Sequence, residues 1–205
     1  MNLTQEDKRA ASWPASDEAL IELARTDPEA FGELYERHVK RVYTYVYYRL
    51  HSRQDAEDLT ARTFMQALAH FPRYRQQGVP FSAWLLRIAH NLVANWYRDN
   101  KREVVPLEEA LSTRSHEDGP AEAATEKEER QELLAALAEL PNERQQLILL
   151  RFGHGLRAAD IAVVMGRTEG AVKALLHRTL VSLRKQMDER AAPRKERKVL
   201  PFVRR

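Results

Sequence analysis

The stretch FSAWLLRIAHNLVANWYRDNKR, residues 81–102, carries two chemically different faces at the 3.6-residue period of an α-helix. At about 100° per residue, five hydrogen-bonding side chains fall within roughly 80° of one another: Arg87, Arg98, Asn91, Arg102 and Asn95. This arc contains no carboxylate. A second stripe is apolar and is expected to be buried against other helices: Leu85, Ile88, Leu92 and Trp96. The pattern predicts one amphipathic helix over these residues.

The chemistry of the polar arc favours nucleic acid. Arginine can reach phosphate or guanine, asparagine suits an adenine edge, and Trp84, near the same face, could stack on an unpaired base. The alternative is a solvated helix face with Trp84 packed beneath the preceding loop. This stretch alone leaves both interpretations open.

Composition excludes several classes of protein. The chain has 205 residues, a net charge of +3 and no cysteine, which rules out disulfides and thiolate zinc sites. The seven histidines form no HExxH pair or tight ligand cluster. We therefore expect no metal, no cofactor and no catalytic residue. No run approaches the roughly 18 apolar residues of a membrane span, and the N-terminus lacks the apolar centre of a secretion signal, so we expect a cytoplasmic protein without membrane insertion.

Helix start signals organise the first module, residues 16–102, after a mobile leader at residues 1–15. Ser16 is expected to cap a short helix. Asp27 followed by Pro28 is a strong start signal for a helix running to about His51. Ser52 with Asp55 resembles a capping box for a third helix, which carries Leu59, Phe64 and Leu68 and ends at Pro72.

The composition changes after Arg102. Residues 103–130 hold nine acids against three bases and include Gly119 and Pro120, which predicts a flexible acidic linker with a helix beginning at about residue 126. Pro141 then opens a helix that Gly153 and Gly155 close. Residues 191–205, with six bases and one acid, form a basic tail with the composition of a disordered segment.

The module at residues 131–190 contains a helix-turn-helix pattern. Ala162, Gly166 and Val172 have the spacing of a close helix contact, a turn with positive φ and a core aliphatic. The polar residues at and after the turn are predicted to contact duplex DNA: Arg167, Thr168, Glu169, Lys173, His177 and Arg178. The alternative is a helical hairpin whose basic residues only keep it soluble. The expected fold is all-α, with two small helical domains joined by a flexible acidic linker.

Three motifs in this order resemble a bacterial sigma factor of the extracytoplasmic-function (ECF) group of the sigma-70 family, over roughly residues 19–187. DAEDLTARTFMQAL resembles the polymerase-binding helix, residues 81–102 resemble the promoter-melting helix, and LPNERQQLILLRFGHGL with the helix-turn-helix behind it resembles the minus-thirty-five domain. The resemblance implies core RNA polymerase, promoter DNA and an anti-sigma factor as partners, and no small-molecule substrate.

The resemblance also implies roles for particular residues. Polymerase contacts are expected from Asp55, Asp58, Leu59, Thr63 and Phe64. Capture of the unpaired minus-ten strand is expected from Gln76, Gln77, Phe81, Trp84, Arg87, Asn91, Asn95, Arg98 and Arg102. The chain departs from the family where Ala61 and Arg62 replace the usual Gln and Glu, and where Asn95 replaces a common Asp.

Two other classes remain as alternatives. A helix-turn-helix regulator that acts without replacing a sigma factor would share the C-terminal pattern, although residues before 103 resemble no ligand or phospho-acceptor domain. A helical DNA-processing enzyme is disfavoured because no paired carboxylates accompany a histidine in a metal-like arrangement.

Overall fold

The computed structural model describes residues 13–76, 78–100 and 124–197 of the chain, and every regular element in these ranges is helical. The chain forms two compact units, the first built mainly from residues up to 103 and the second mainly from residues after 103. This confirms the expected all-α fold. The leader up to residue 12, most of the linker and residues 198–205 lie outside the described residues.

The described residues of the first unit form four helices: α1 is Asp17–Leu23, α2 is Pro28–Leu50, α3 is Arg53–His70 and α4 is Phe81–Asn100. A 3₁₀ turn at Phe71–Arg73 follows α3. The amphipathic helix predicted over residues 81–102 is therefore α4. Residues 101 and 102 lie outside the described residues.

The start signals read from the sequence act as caps. Ser16 accepts a hydrogen bond from the backbone N–H of Ala19 at 3.3 Å, and Asp27 accepts one from Glu29 at 2.9 Å. Ser52 accepts one from Asp55 at 3.3 Å. Each side chain satisfies a backbone donor that the first helical turn leaves free. Three helix starts were thus predicted correctly from local chemistry.

The core of the first unit lies between α2, α3 and α4, which pack against one another. Each helix contributes side chains that are at most 5% exposed: Leu34, Val42, Tyr45 and Val46 from α2; Leu59, Phe64 and Ala67 from α3; Leu85, Leu86, Ala89 and Leu92 from α4. Of the apolar stripe expected to be buried on α4, Leu85 and Leu92 are buried, whereas Ile88 and Trp96 are only half-buried. Leu68, which the apolar period of α3 included, is 55% exposed because it lies beyond the packed face.

Over residues 124–197, the second unit likewise contains four helices: α5 is Ala124–Ala138, α6 is Asn142–Ile148, α7 is Ala158–Met165 and α8 is Glu169–Arg197. A π-helical turn at Leu149–Gly153 continues α6. The long α8 packs against α5 and α6. It runs to Arg197, so part of the segment predicted to be a disordered tail is helical in its backbone.

Two glycines shape this unit. Gly155 and Gly166 have φ values of 69° and 64°, in the left-handed region that glycine adopts without strain. Gly166 ends α7 and lets the chain turn into α8, as the helix-turn-helix spacing predicted. Leu147, Leu150, Ile161 and Val172 are fully buried around this turn.

Loss of the α2 cap should destabilise the first unit. Asp27→Ala removes the acceptor for the Glu29 N–H and should lower the free energy of unfolding by about 1 kcal/mol. Asp27→Asn keeps an acceptor oxygen and is the matched control. Urea unfolding followed by circular dichroism measures both. Equal losses for the two variants would contradict a capping role.

Candidate nucleic-acid interface

The polar arc of α4 faces outward as expected. Asn91, Asn95 and Arg98 are exposed, and Arg87 is half-buried. One charge was not anticipated on this face: the carboxylate of Asp99 accepts a hydrogen bond from Arg98 Nε at 3.4 Å. Because both side chains are more than 65% exposed, this ion pair is weak and can open for a phosphate. Three polar side chains therefore offer donors and acceptors on one accessible helix face.

Trp84 lies half-buried beside the loop that precedes α4. Its ring centroid is 4.6 Å from that of Tyr74 and 5.4 Å from that of Phe81. The ring thus packs against the loop, as the alternative interpretation expected, yet part of its surface remains accessible. Stacking of Trp84 on a base stays a prediction.

The strand-capture set needs one correction. Phe81 is 2% exposed and makes edge contacts with His38, Phe71 and Tyr74, so its ring belongs to the core and cannot stack on a base. Gln76 is exposed, in agreement with a role at the surface. Gln77 and Arg102 lie outside the described residues.

The set of polymerase contacts on α3 needs a larger correction. Leu59, Thr63 and Phe64 are 1%, 0% and 5% exposed. The Thr63 hydroxyl donates to the carbonyl of Leu59 at 2.7 Å, which satisfies it within the helix. These residues build the core, and a partner could touch them only after the unit had opened. Their prediction as contact residues is wrong.

The opposite face of α3 holds Asp58, which the sequence analysis predicted as a polymerase contact, together with Arg62 and Met65, to which it gave no role. Asp58, Arg62 and Met65 follow one another at spacings of four and three and share the solvent side. Arg62 Nη1 lies 3.6 Å from Asp58 Oδ2, and Met65 is 71% exposed. The period that places Leu59 inside places these three outside, so the signal was present in the sequence.

Asp55 has a different environment from Asp58. It is half-buried, and its Oδ1 accepts a hydrogen bond from Trp96 Nε1 at 3.3 Å. This contact joins the first turn of α3 to the last turns of α4. Sequence spacing could not reveal it, because the two residues lie 41 positions apart.

In the second unit, all six residues assigned to duplex DNA are exposed. The Thr168 hydroxyl caps α8 by accepting from the backbone N–H of Ala171 at 3.2 Å, which gives this residue a structural role. Glu169, Lys173 and His177 fall within roughly 80° of one another on α8, whereas Arg178 lies about 100° further round. Glu169, Lys173 and His177 therefore share one side of α8, and Arg178 lies on a different side.

Two of these basic side chains already have acidic partners within the unit. Lys173 Nζ lies 2.6 Å from Glu169 Oε1, and Arg167 pairs with Glu143. The Lys173 and Glu169 side chains are 65% and 48% exposed, so exchange of the carboxylate for a phosphate is inexpensive. These ion pairs orient the Lys173 and Arg167 side chains, and the positive charge of each remains available to a phosphate when the pair opens.

His90 lies on the inner side of α4, where the Tyr45 hydroxyl meets its Nδ1 at 3.2 Å. Burial, together with the positive charges of Arg49 and Arg87, lowers the pKa of His90 to about 4. The imidazole is therefore neutral at physiological pH, and its Nδ1 can accept from Tyr45.

The described parts of the chain lack both a membrane-spanning helix and a metal site. No helix there is long and apolar enough to cross a membrane. Within the same ranges, no group of three or more His, Cys, Asp or Glu residues has the arrangement of a metal site.

Two family models match the chain in the expected order. Sigma-70 region 2 matches residues 34–103, which include α4 and most of α2. Sigma-70, region 4 matches residues 130–183, which include the helix-turn-helix.

Named relatives carry the same description. BldN of Streptomyces coelicolor, an ECF RNA polymerase sigma factor, is 37% identical over 174 residues, covering 84% of this chain and 66% of that protein. ShbA of Streptomyces griseus, another ECF RNA polymerase sigma factor, is 32% identical over 137 residues, covering 65% of this chain and 72% of that protein. The chain thus spans about two thirds of the length of these relatives.

Solved structures share the fold. CnrH in complex with the cytosolic domain of CnrY has a TM-score of 0.59 at 23% identity, covering 84% of this chain and 97% of that chain. The sigma factor RpoE in complex with the anti-sigma factor NepR from Bartonella quintana has a TM-score of 0.57 at 20% identity, covering 77% and 96%. At these identities the likeness concerns architecture.

Stability should fall in acid because of His90. Its pKa is lower in the folded than in the unfolded state, so unfolding takes up a proton between about pH 4 and 6.5. The stability contribution is complete above pH 6.5 and is lost as pH falls through this window.

His90→Gln keeps an acceptor for Tyr45 and removes the titration. Its free energy of unfolding should depend less on pH, with a slope smaller by at most about 1.4 kcal/mol per pH unit. Urea unfolding at pH 4.5 to 7 measures the slope, and identical slopes for both proteins would contradict the buried neutral imidazole.

Proposed function

This chain belongs to the ECF group of the sigma-70 family of bacterial RNA polymerase sigma factors, and we propose that it binds core RNA polymerase, directs it to specific promoters and helps open the minus-ten region. In this role it catalyses no reaction itself. It provides the polymerase with two surfaces that bind promoter DNA, one on each unit.

The observation that carries the proposal is the outer face of α4. Asn91, Asn95 and Arg98 are exposed beside a half-buried Trp84, and all four lie within the segment that matches sigma-70 region 2. A face dedicated to duplex phosphates would need no accessible tryptophan. One that holds unpaired bases needs both an aromatic surface and polar groups that read base edges.

The contact with core polymerase is assigned to the exposed side of α3. Asp58 and Arg62 supply charge, and Met65 supplies an adaptable apolar surface that is typical of protein interfaces. This assignment replaces the buried residues Leu59, Thr63 and Phe64 while keeping the same helix. It also accounts for the departure at Arg62, which pairs with Asp58 and so stays within a mixed-charge surface.

The second unit is assigned to duplex DNA at the minus-thirty-five element. Lys173 and His177 lie on the outer face of the recognition helix α8, and Arg167 lies at its start. The proposal also includes binding to an anti-sigma factor and a cytoplasmic location for the protein. The RpoE structure, which contains the anti-sigma factor NepR, supports the expectation of such a partner.

The alternative regulator, acting without polymerase, has weaker support. Its class would explain the helix-turn-helix, but residues 34–103 match sigma-70 region 2. A direct test adds the chain to core polymerase on genomic DNA of its source organism. Discrete transcript starts that core polymerase alone does not make are the expected result, and their absence would favour the alternative.

Trp84 should matter for opening of a promoter recovered in that experiment. Stacking is worth about 1 to 3 kcal/mol per base, so Trp84→Ala should lower permanganate reactivity of promoter thymines roughly 5- to 150-fold. Trp84→Phe keeps an aromatic face and should retain most of the reactivity. Polymerase binding should not change.

The thermal midpoint of the free Trp84→Ala protein distinguishes stacking from packing. A fully structural tryptophan would lose about 3 to 5 kcal/mol of stability on truncation. Normal promoter opening together with a large loss of stability would make Trp84 a core residue and remove it from the strand-capture set.

Lys173 should add one phosphate contact. In titrations of the full chain with a random-sequence DNA duplex, Lys173→Ala should reduce the slope of log affinity against log salt by about one unit. Lys185→Ala is the matched control, because Lys185 is also well exposed on α8, 78% against 65% for Lys173, and pairs with Glu189 at the same four-residue spacing. Equal slopes for the wild type and Lys173→Ala would exclude this contact.

A further inference from the structure

The last two turns of α4 contribute no fully buried residue to the core, and Trp96 and Tyr97 are half-buried there. The buried residues of this helix end at Leu92 and Val93, and none lies between residues 94 and 100. Asn95 and Arg98, two of the DNA-facing residues, belong to this part of the helix. Helix ends with few tertiary contacts fray, so the contacts of this segment with the rest of the unit decide whether Asn95 and Arg98 stay in place.

Two hydrogen bonds attach this segment to the rest of the unit. Trp96 Nε1 donates to Asp55 Oδ1 at 3.3 Å, and the Tyr97 hydroxyl donates to the backbone carbonyl of Arg49. The Arg49 guanidinium also lies over the Tyr97 ring, 5.9 Å from its centroid. Since Trp96 and Tyr97 are adjacent, the two hydrogen bonds hold the same helical turn from two different sides.

Both acceptors lie on one rigid corner of the unit. Only His51 and Ser52 separate α2 from α3. His51 adopts a left-handed φ of 53° and donates its N–H to the carbonyl of Tyr47, which ends α2. Ser52 caps α3 through the N–H of Asp55 itself. The corner therefore cannot shift without breaking two helix caps.

We propose that Asp55 and Trp96 form a positioning pair that holds the end of α4 against the α2–α3 corner and so sets where Asn95 and Arg98 meet the minus-ten strand. This inference rests on the proposed function. It moves Asp55 from the polymerase contacts to the support of the DNA-facing helix. The exposed neighbour Asp58 stays on the polymerase side.

The hydrogen bond can be tested without polymerase. In the ¹⁵N-labelled full chain, Asp55→Ala should speed exchange of the Trp96 indole proton and of the backbone amides of residues 94–99 by about tenfold, the scale of losing one hydrogen bond. Asp55→Asn keeps an acceptor oxygen and should exchange like the wild type. Unchanged exchange in Asp55→Ala, with the fold intact, would overturn the pair.

The positioning role needs a second readout on a promoter. Asp55→Ala and Trp96→Phe should each reduce permanganate reactivity several-fold, and the double variant should lose no more than either single variant, because both remove the same bond. Asp55→Asn should restore opening. The affinity for core polymerase should stay at the wild-type value in all four proteins.

Two outcomes would contradict this role. Additive losses in the double variant would mean that the residues act independently, and weaker core binding by Asp55→Ala would return Asp55 to the polymerase surface. A wild-type chain that opens no promoter would instead refute the proposed function, while the exchange experiment would still decide whether the pair exists.

Discussion

Burial of α4 along most of its circumference is the constraint on which the first unit depends. Leu85, Leu86 and Ala89 are inaccessible to solvent, and Leu92 is 4% exposed, so this helix can pack between α2 and α3 in only one rotational setting. That setting leaves a single narrow strip of the helix facing water. Asn91, Asn95 and Arg98 occupy it. The DNA-facing surface is therefore a consequence of core packing, and any change that rotated α4 would bury polar groups and expose apolar ones at the same time.

Local chemistry made much of the fold predictable. Asp27 with Pro28 and Ser52 with Asp55 are signals that act within one helical turn, and the structure has caps at both places. The exposed arc of α4 followed from its period alone. The exposure of Leu68 did not follow, because this residue lies about 40° beyond Phe64 around the helix, outside the packed arc, and is 55% exposed. Periodicity identifies which residues share a face; it does not tell how wide an arc of the helix its neighbours cover.

The candidate site was predicted less well than the fold, for two physical reasons. Leu59 and Phe64 belong to the motif that resembles the polymerase-binding helix, but they are 1% and 5% exposed, so this motif combines core residues with surface residues that sequence alone did not separate. Contacts between residues far apart in sequence could not be predicted, for a different reason. Asp55 and Trp96 lie 41 positions apart, and the partner of each side chain depends on how α3 and α4 cross. Ion pairs inside one helix, such as Glu169 with Lys173, follow the four-residue spacing and could have been anticipated.

In the proposed function, α3 and α4 bind different partners: the exposed side of α3 binds core polymerase, and the outer face of α4 binds the minus-ten strand. Site-specific photo-crosslinking tests this directly, with benzoylphenylalanine placed singly at Asn95 on α4 and at Met65 on α3, both exposed, in the complete holoenzyme on an open promoter. The account predicts crosslinks from position 95 to the non-template strand and from position 65 to a polymerase subunit. Crosslinks from position 95 to polymerase alone, or from position 65 to DNA, would contradict it.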